Sequence, residues 1–206
     1  MPPEYVPCSL CQKQAEYMCS KCSEPVCAND ARTHVICSRC SAPNHCNYKI
    51  HQAFCEDVQH LEELVLLFWG DTVQRIFDQD FTVSEYPAIV AESDEKIVGF
   101  IFYTPFRKDD VLILALGVLP EYQGCGIGKA LVAQVEKFAQ EQRRKDLLVV
   151  TTNDNLPALA FYQHEGFQLF EVRPDVVAEK LGRIQLGMAN IPIRDELRLR
   201  KRLPIP

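Results

Sequence analysis

Thirteen side chains in the first quarter of the chain are of types that hold metal ions: Cys8, Cys11, Cys19, Cys22, Cys27, Asp30, His34, Cys37, Cys40, His45, Cys46, His51 and Cys55. Three Cys-x2-Cys pairs (Cys8/Cys11, Cys19/Cys22 and Cys37/Cys40) fall within 33 residues. Each pair can form a tight knuckle that turns two thiolates toward one tetrahedral zinc ion. Nine of the ten cysteines lie at or before Cys55 and only Cys125 lies beyond, so the partition marks a domain boundary. In a reducing compartment such a cluster points to metal rather than disulfides. A second group of residues suits anion chemistry. Residues 111–131 read VLILALGVLPEYQGCGIGKAL: an apolar run stops at Pro120, passes through Gln123-Gly124-Cys125-Gly126-Ile127-Gly128 and opens into a helical pattern. Alternating glycines let backbone approach backbone or a ligand. The N–H groups and dipole of the helix start favour an anion such as a pyrophosphate.

Spacing narrows the ligand. A dinucleotide fingerprint needs glycine three residues after Gly126, where Lys129 stands. A P-loop needs Ser or Thr after Gly128-Lys129, where Ala130 stands, and Gly at the position of Gln123. What remains is Gln123-x-x-Gly126-x-Gly128 after a strand. It resembles the acetyl-CoA loop of the GNAT acyltransferase superfamily. Residues 146–167 read DLLVVTTNDNLPALAFYQHEGF. The series Asn155, Ala158, Phe161, Tyr162, Gly166 and Phe167 within them looks like the second signature block of the same superfamily, one helix and one strand later. The resemblance covers residues 56–203.

The elements that must position these groups are legible in outline. Val58, Leu61, Val65 and Phe68 recur at helical intervals over Glu56 to Trp69. Tyr86 to Ala91 and Ile97 to Tyr103 are β-rich runs about a Ser93-Asp94-Glu95-Lys96 turn, and Val111 to Val118 is the next strand. Ile127 to Gln142 reads as a helix with Ile127, Leu131, Val135 and Phe138 on one face. Leu147 to Thr151, a short helix ending at Gly166, and strands over Phe167 to Val172 and Leu197 to Leu203 complete the pattern. The expected fold is mixed α/β: a GNAT acyltransferase domain over residues 56–206, preceded by a small cysteine-rich zinc-binding domain over residues 1–55 with a core at about 8–46.

At 206 residues, 47% of them hydrophobic and 24% charged, the chain has room for one full domain and a small appendage. The net charge of −6 argues against nonspecific nucleic-acid binding, as do five Lys/Arg against four Asp/Glu in residues 1–55. Leu64 to Trp69 is too short to span a bilayer, and Met1 to Glu4 show no basic or apolar leader, so a cytoplasmic location is expected.

The stretch Cys8 to His34 resembles B-box and HIT-type zinc fingers, which imply interleaved ligands. Cys8, Cys11, Cys27 and Asp30 would hold a first zinc, and Cys19, Cys22 and His34 with Cys37 or a later histidine a second. A third would use Cys37, Cys40 and two of His45, Cys46, His51 and Cys55. Closed tetrahedral sites leave no position for water, so the expected role is structural, a docking platform for an acceptor or protein partner.

For the body, the GNAT resemblance implies an acetyl-CoA-dependent N-acyltransferase acting on a primary amine. Leu116, Gly117 and Val118 would pair with the pantetheine arm, and Gln123, Gly124, Cys125, Gly126, Ile127, Gly128 and Lys129 would cradle the pyrophosphate. Asn155 would fix the cofactor or its loop, and Tyr162 stands where relatives place a general acid. Glu121 and Asp154 are the candidate bases, Glu121 first. Asp71, Asp78 and Asp80 could draw in a cationic amine. The alternative expectation is a protein that binds acetyl-CoA without turnover, as a sensor or interaction module.

Overall fold

The computed structural model describes residues 47–204, and upstream of them only the backbone of four two-residue strands, Tyr17–Met18, Pro25–Val26, Ala31–Arg32 and Ile36–Cys37. The first two of these pair antiparallel with each other, as do the last two. Contacts divide the chain into two units, Met1–Asn47 with Gly124–Gly126, and Tyr48–Gln123 with Ile127–Pro206. The second carries the sheet described next.

Its elements, in chain order, are β1 (Lys49–Gln52), α1 (Val58–Trp69), β2 (Val73–Ile76), β3 (Gln79–Thr82), β4 (Ala88–Ser93), β5 (Lys96–Pro105), β6 (Asp110–Val118) and α2 (Ile127–Glu141). There follow β7 (Asp146–Thr152), α3 (Leu156–His164), β8 (Gln168–Arg173), α4 (Val176–Leu181), β9 (Gln185–Leu186), β10 (Pro192–Ile193) and β11 (Glu196–Arg202). Seven strands form one sheet in the order β8-β11-β7-β6-β5-β4-β1. All neighbours run antiparallel except β6 and β7, which are parallel. The parallel step requires a crossover, and α2 supplies it.

β5 is an interior strand with eight consecutive buried residues, Ile97 to Thr104, the signature of a strand covered on both faces. Leu61, Leu64 and Val65 of α1 pack with Val90, Phe100, Phe102, Leu112 and Leu114. Ile127, Leu131, Val132, Val135 and Ala139 of α2 are buried, and Phe138 meets Tyr103 edge-on with ring centroids 4.9 Å apart. The β4–β5 turn places Asp94 and Glu95 at φ 49° and 62°, the left-handed pair that a two-residue hairpin needs. The α1 helix ends at Gly70, φ 74°, whose N–H donates to Leu66 O at 2.8 Å.

Three features differ from the sequence expectation. β1 pairs with β4 from Lys49↔Glu92 to Gln52↔Ile89, so the sheet begins upstream of Glu56. Val73–Ile76 and Gln79–Thr82 form a hairpin where no strand was expected, and α4 lies in what read as loop. The hairpin buries Ile76, Phe77 and Phe81, which do not alternate along the strands, and α4 buries no residue, so neither shows the apolar periodicity that marks an element in sequence.

Candidate active site

The parallel pair β6/β7 holds register for only three residues, Asp110↔Asp146, Val111↔Leu147 and Leu112↔Leu148. Beyond them β6 stays paired to β5 on its other side, through a bulge between Ile113 and Ala115, while β7 stays paired to β11. Each strand follows its own partner, and the two separate. The inner edges of Ile113–Val118 and Val149–Thr152 are therefore left without a strand partner, at the centre of a sheet. Backbone groups there must be met by water or by a ligand with polar groups of its own. A cleft of about 590 Å³ opens at this point, lined by Ile113–Leu116 of β6, Val149–Thr152 of β7 and Asn155, Ala158 and Tyr162 around α3.

After β6 the chain makes a 3-10 turn, Pro120–Tyr122, then the glycine segment, then α2. Gly124 and Gly126 have φ of 83° and 80°, a region closed to most side chains. Gly128 serves differently: a Cβ there would lie 3.2 Å from the Phe161 ring, so its absence lets α2 approach α3. Gln123 Nε2 donates to Val118 O at 3.1 Å, tying the turn to the end of β6. The first N–H groups of α2 lack carbonyl partners within the helix, as at any helix start, and Lys129 in that turn is exposed.

Asn155 caps α3, its side-chain oxygen accepting from Ala158 N at 3.2 Å. Tyr162 of the same helix is 6% exposed and lines the cleft. Phe161 and Phe167 flank its ring at 5.2 and 5.4 Å. Burial holds its phenol proton well above the usual range for tyrosine, and no hydrogen bond to the hydroxyl is present among the described residues. A neutral hydroxyl with an unused proton, facing a cleft, is equipped to donate.

The opposite wall comes from the end of α1, the β2–β3 hairpin, α4 and the start of β11. It is fastened by a buried ionic network. Arg198, 4% exposed, donates to Glu196 Oε1 at 2.7 Å, to Glu171 at 3.2 Å and to Asp78 at 3.3 Å, and its guanidinium sits over the Phe77 ring at 4.4 Å. Lys180 of α4 reaches Glu196 at 3.5 Å and donates to Arg75 O at 2.6 Å. One guanidinium thus joins β8, β11 and the hairpin tip, and one ammonium joins α4 to β11 and to the hairpin.

The candidate bases fall elsewhere. Glu121 is exposed on the 3-10 turn and does not line the cleft. Asp154 is buried rather than a solvated surface charge: it accepts from Thr152 Oγ1 at 2.5 Å and Met188 N at 3.3 Å. Asn153 beside it accepts from Arg194 N and Asp195 N at 2.8 and 2.9 Å. Sequence reasoning passed over Asn153 as a clamp, because its partners lie some forty residues away in sequence.

Of the thirteen expected metal ligands, Cys8 to Cys46 lie outside the residues whose side chains are described. His51 stands in β1, with Nε2 3.4 Å from Glu92 Oε2 and Nδ1 3.0 Å from Gln52 O. Cys55 is an exposed free thiol. Among the described residues no three His, Cys, Asp or Glu side chains gather as a metal site. No helix among them is long and apolar enough to cross a membrane.

The sequence pattern of the Acetyltransferase (GNAT) family matches residues 49–167, which takes in the splayed strands, the glycine turn and α3. The uncharacterized protein YxbD of Bacillus subtilis (strain 168) is 42% identical over 140 residues, covering 66% of this chain and 86% of that protein. A solved IAA acetyltransferase from Bacillus cereus ATCC 14579 superposes with a TM-score of 0.64 at 25% identity, over 76% of this chain and all of the other. A GNAT family acetyltransferase from Elizabethkingia anophelis, solved with acetyl-CoA bound, shares the fold at a TM-score of 0.58 and 20% identity, over 76% of this chain and 99% of that one. The chain belongs to the GNAT family of N-acetyltransferases.

Proposed function

We propose that the chain transfers an acetyl group from acetyl-CoA to a primary amine inside the β6/β7 cleft. The observation that carries this is the parting of β6 and β7 beyond Leu112/Leu148, with a protonated Tyr162 on its wall. The partnerless edge at Leu116, Gly117 and Val118 suits the amide-bearing pantetheine arm, which can add to β6 as a strand would. The turn from Gln123 to Gly128, with Lys129, suits the pyrophosphate. The Elizabethkingia relative, with acetyl-CoA bound on the same fold, supports the choice of cosubstrate.

The cleft walls hold the amine nitrogen against the thioester carbonyl, so much of the rate comes from proximity. A C–N bond forms, the C–S bond breaks, and Tyr162 gives its proton to the departing thiolate. The proton shed by the amine passes to water, since Glu121 lies off the cleft and both oxygens of Asp154 are engaged. The N-terminal cysteine spacing supports a structural zinc module that docks the acceptor or a protein partner, and a reducing cytoplasm suits such a module. Its ligands would come from the thirteen candidate side chains between Cys8 and Cys55.

Calorimetry with acetyl-CoA, followed by release of free thiol on adding an amine panel, tests the assignment. Binding should be lost in Gly126→Glu and weakened in Lys129→Glu, whose exposed site leaves folding untouched. Unchanged binding in both, or tight binding with no thiol release from any amine, would overturn it, the latter in favour of a sensor.

A further inference from the structure

Resting on that reading, the charges of the cleft say what kind of amine it takes. Five charged side chains line it: Asp71, Arg75, Asp80, Lys180 and Glu196. Four are paired among themselves, Arg75 with Asp80 at 3.6 Å and Lys180 with Glu196 at 3.5 Å. Asp71 alone has no cation among the described residues. One of its oxygens accepts from Val73 N at 2.9 Å, and the other is uncommitted. Asp78, a third acidic residue of this region, is taken up by Arg173 and Arg198 and does not line the cleft.

Trp69 stands two residues before Asp71, across the left-handed Gly70, on the same wall. It is 40% exposed, although its ring is packed edge-on with Phe100 at 6.0 Å. No described cation covers the ring. A partly exposed indole and an unpaired carboxylate on one wall of a cleft suit a cation. Val73, Val177 and Leu181 add apolar surface to the same lining. Both positive side chains already have carboxylate partners, so an acceptor's own carboxylate would find no free cation and would meet Asp71.

We propose that the acceptor is a primary alkylammonium on an apolar body and without a carboxylate, captured by Asp71 against the ring of Trp69 before it loses its proton to react. The site therefore separates an amine from the corresponding amino acid by charge, not by shape.

Trp69 is the chain's single tryptophan, so its emission reports this wall whether or not turnover follows. The experiment titrates the full chain, with CoA bound, with phenethylamine and with phenylalanine, which differ only in the carboxylate. A saturable change with phenethylamine is expected, with phenylalanine at least tenfold weaker. Asp71→Asn, an exposed position that should not disturb folding, is expected to weaken phenethylamine about fivefold. Equal affinity for the two ligands, no saturable response to phenethylamine, or an unchanged affinity in Asp71→Asn overturns the proposal. Acetyl-CoA binding is measured separately by calorimetry, so its loss would sink the acetyltransferase assignment and not be mistaken for a failure of amine selection.

Discussion

Replacing Tyr162 with Phe should make the protein slower while leaving its stability nearly unchanged. The substitution removes one oxygen and leaves the ring between Phe161 and Phe167. That hydroxyl has no hydrogen-bond partner among the described residues, yet it is not among the buried polar atoms left unsatisfied, so the water of the cleft still reaches it. Its removal should therefore change stability by less than about 1 kcal/mol, which for a domain of this size keeps Tm within roughly 2–4 °C of the parent. The same oxygen carries the proton offered to the leaving thiolate, and general acid catalysis contributes on the order of 10²–10⁴ in rate. Thiol release under saturating acetyl-CoA should fall by about 10² or more in kcat, with calorimetric acetyl-CoA affinity held. The pH sign follows from burial. A phenol held above its ordinary value keeps its proton as pH rises, so alkaline loss of activity through this group begins above pH 10, not at it. Stability from keeping the neutral form is present below the ordinary value and is lost as pH climbs through the raised one. A kcat within threefold of the parent would refute the acid role, and a Tm lowered by several degrees would show that the hydroxyl has a structural partner.

Arg198→Met leaves Glu196, 2% exposed, with Lys180 as its remaining cation, and should cost about 3–5 kcal/mol in urea denaturation. Gly187→Ala should destabilise measurably in a thermal melt, because a Cβ there would stand 2.0 Å from Asp154 Oδ2; an unchanged Tm would mean that the Asp154 contact is dispensable. Elemental analysis of the purified chain should find two or three zinc ions per molecule, and a metal-free protein that keeps its fold would remove the zinc module from the proposal.

Much of the fold was legible because burial imposes a period. Ile97 to Tyr103 and Val111 to Val118 are strands covered on both faces, and Ile127, Leu131 and Val135 are one stripe of a helix against them. The glycine turn was legible for a stereochemical reason, since Gly124 and Gly126 occupy positive φ. Less could be read where exposed polar residues decide the matter. In the β2–β3 hairpin the buried Ile76, Phe77 and Phe81 do not alternate, and α4 buries no residue, so neither leaves a pattern. Asp154, a candidate base by its position, is buried against Thr152 and Met188, a contact that no local spacing encodes. Three aspartates looked equally able to attract an amine, and only the ion pairs made by Asp78 and Asp80 single out Asp71.

The sequence by itself determined the strand–turn–helix frame, the place of the glycines and the chemical types of the groups near them, because backbone stereochemistry and hydrophobic periodicity are local properties. The tertiary structure alone decided that β6 and β7 part after Leu112 and Leu148, that Tyr162 keeps its proton in the gap, and which carboxylate stays unpaired. Those depend on which distant strand or cation each group meets, and such encounters exist only once the chain is folded.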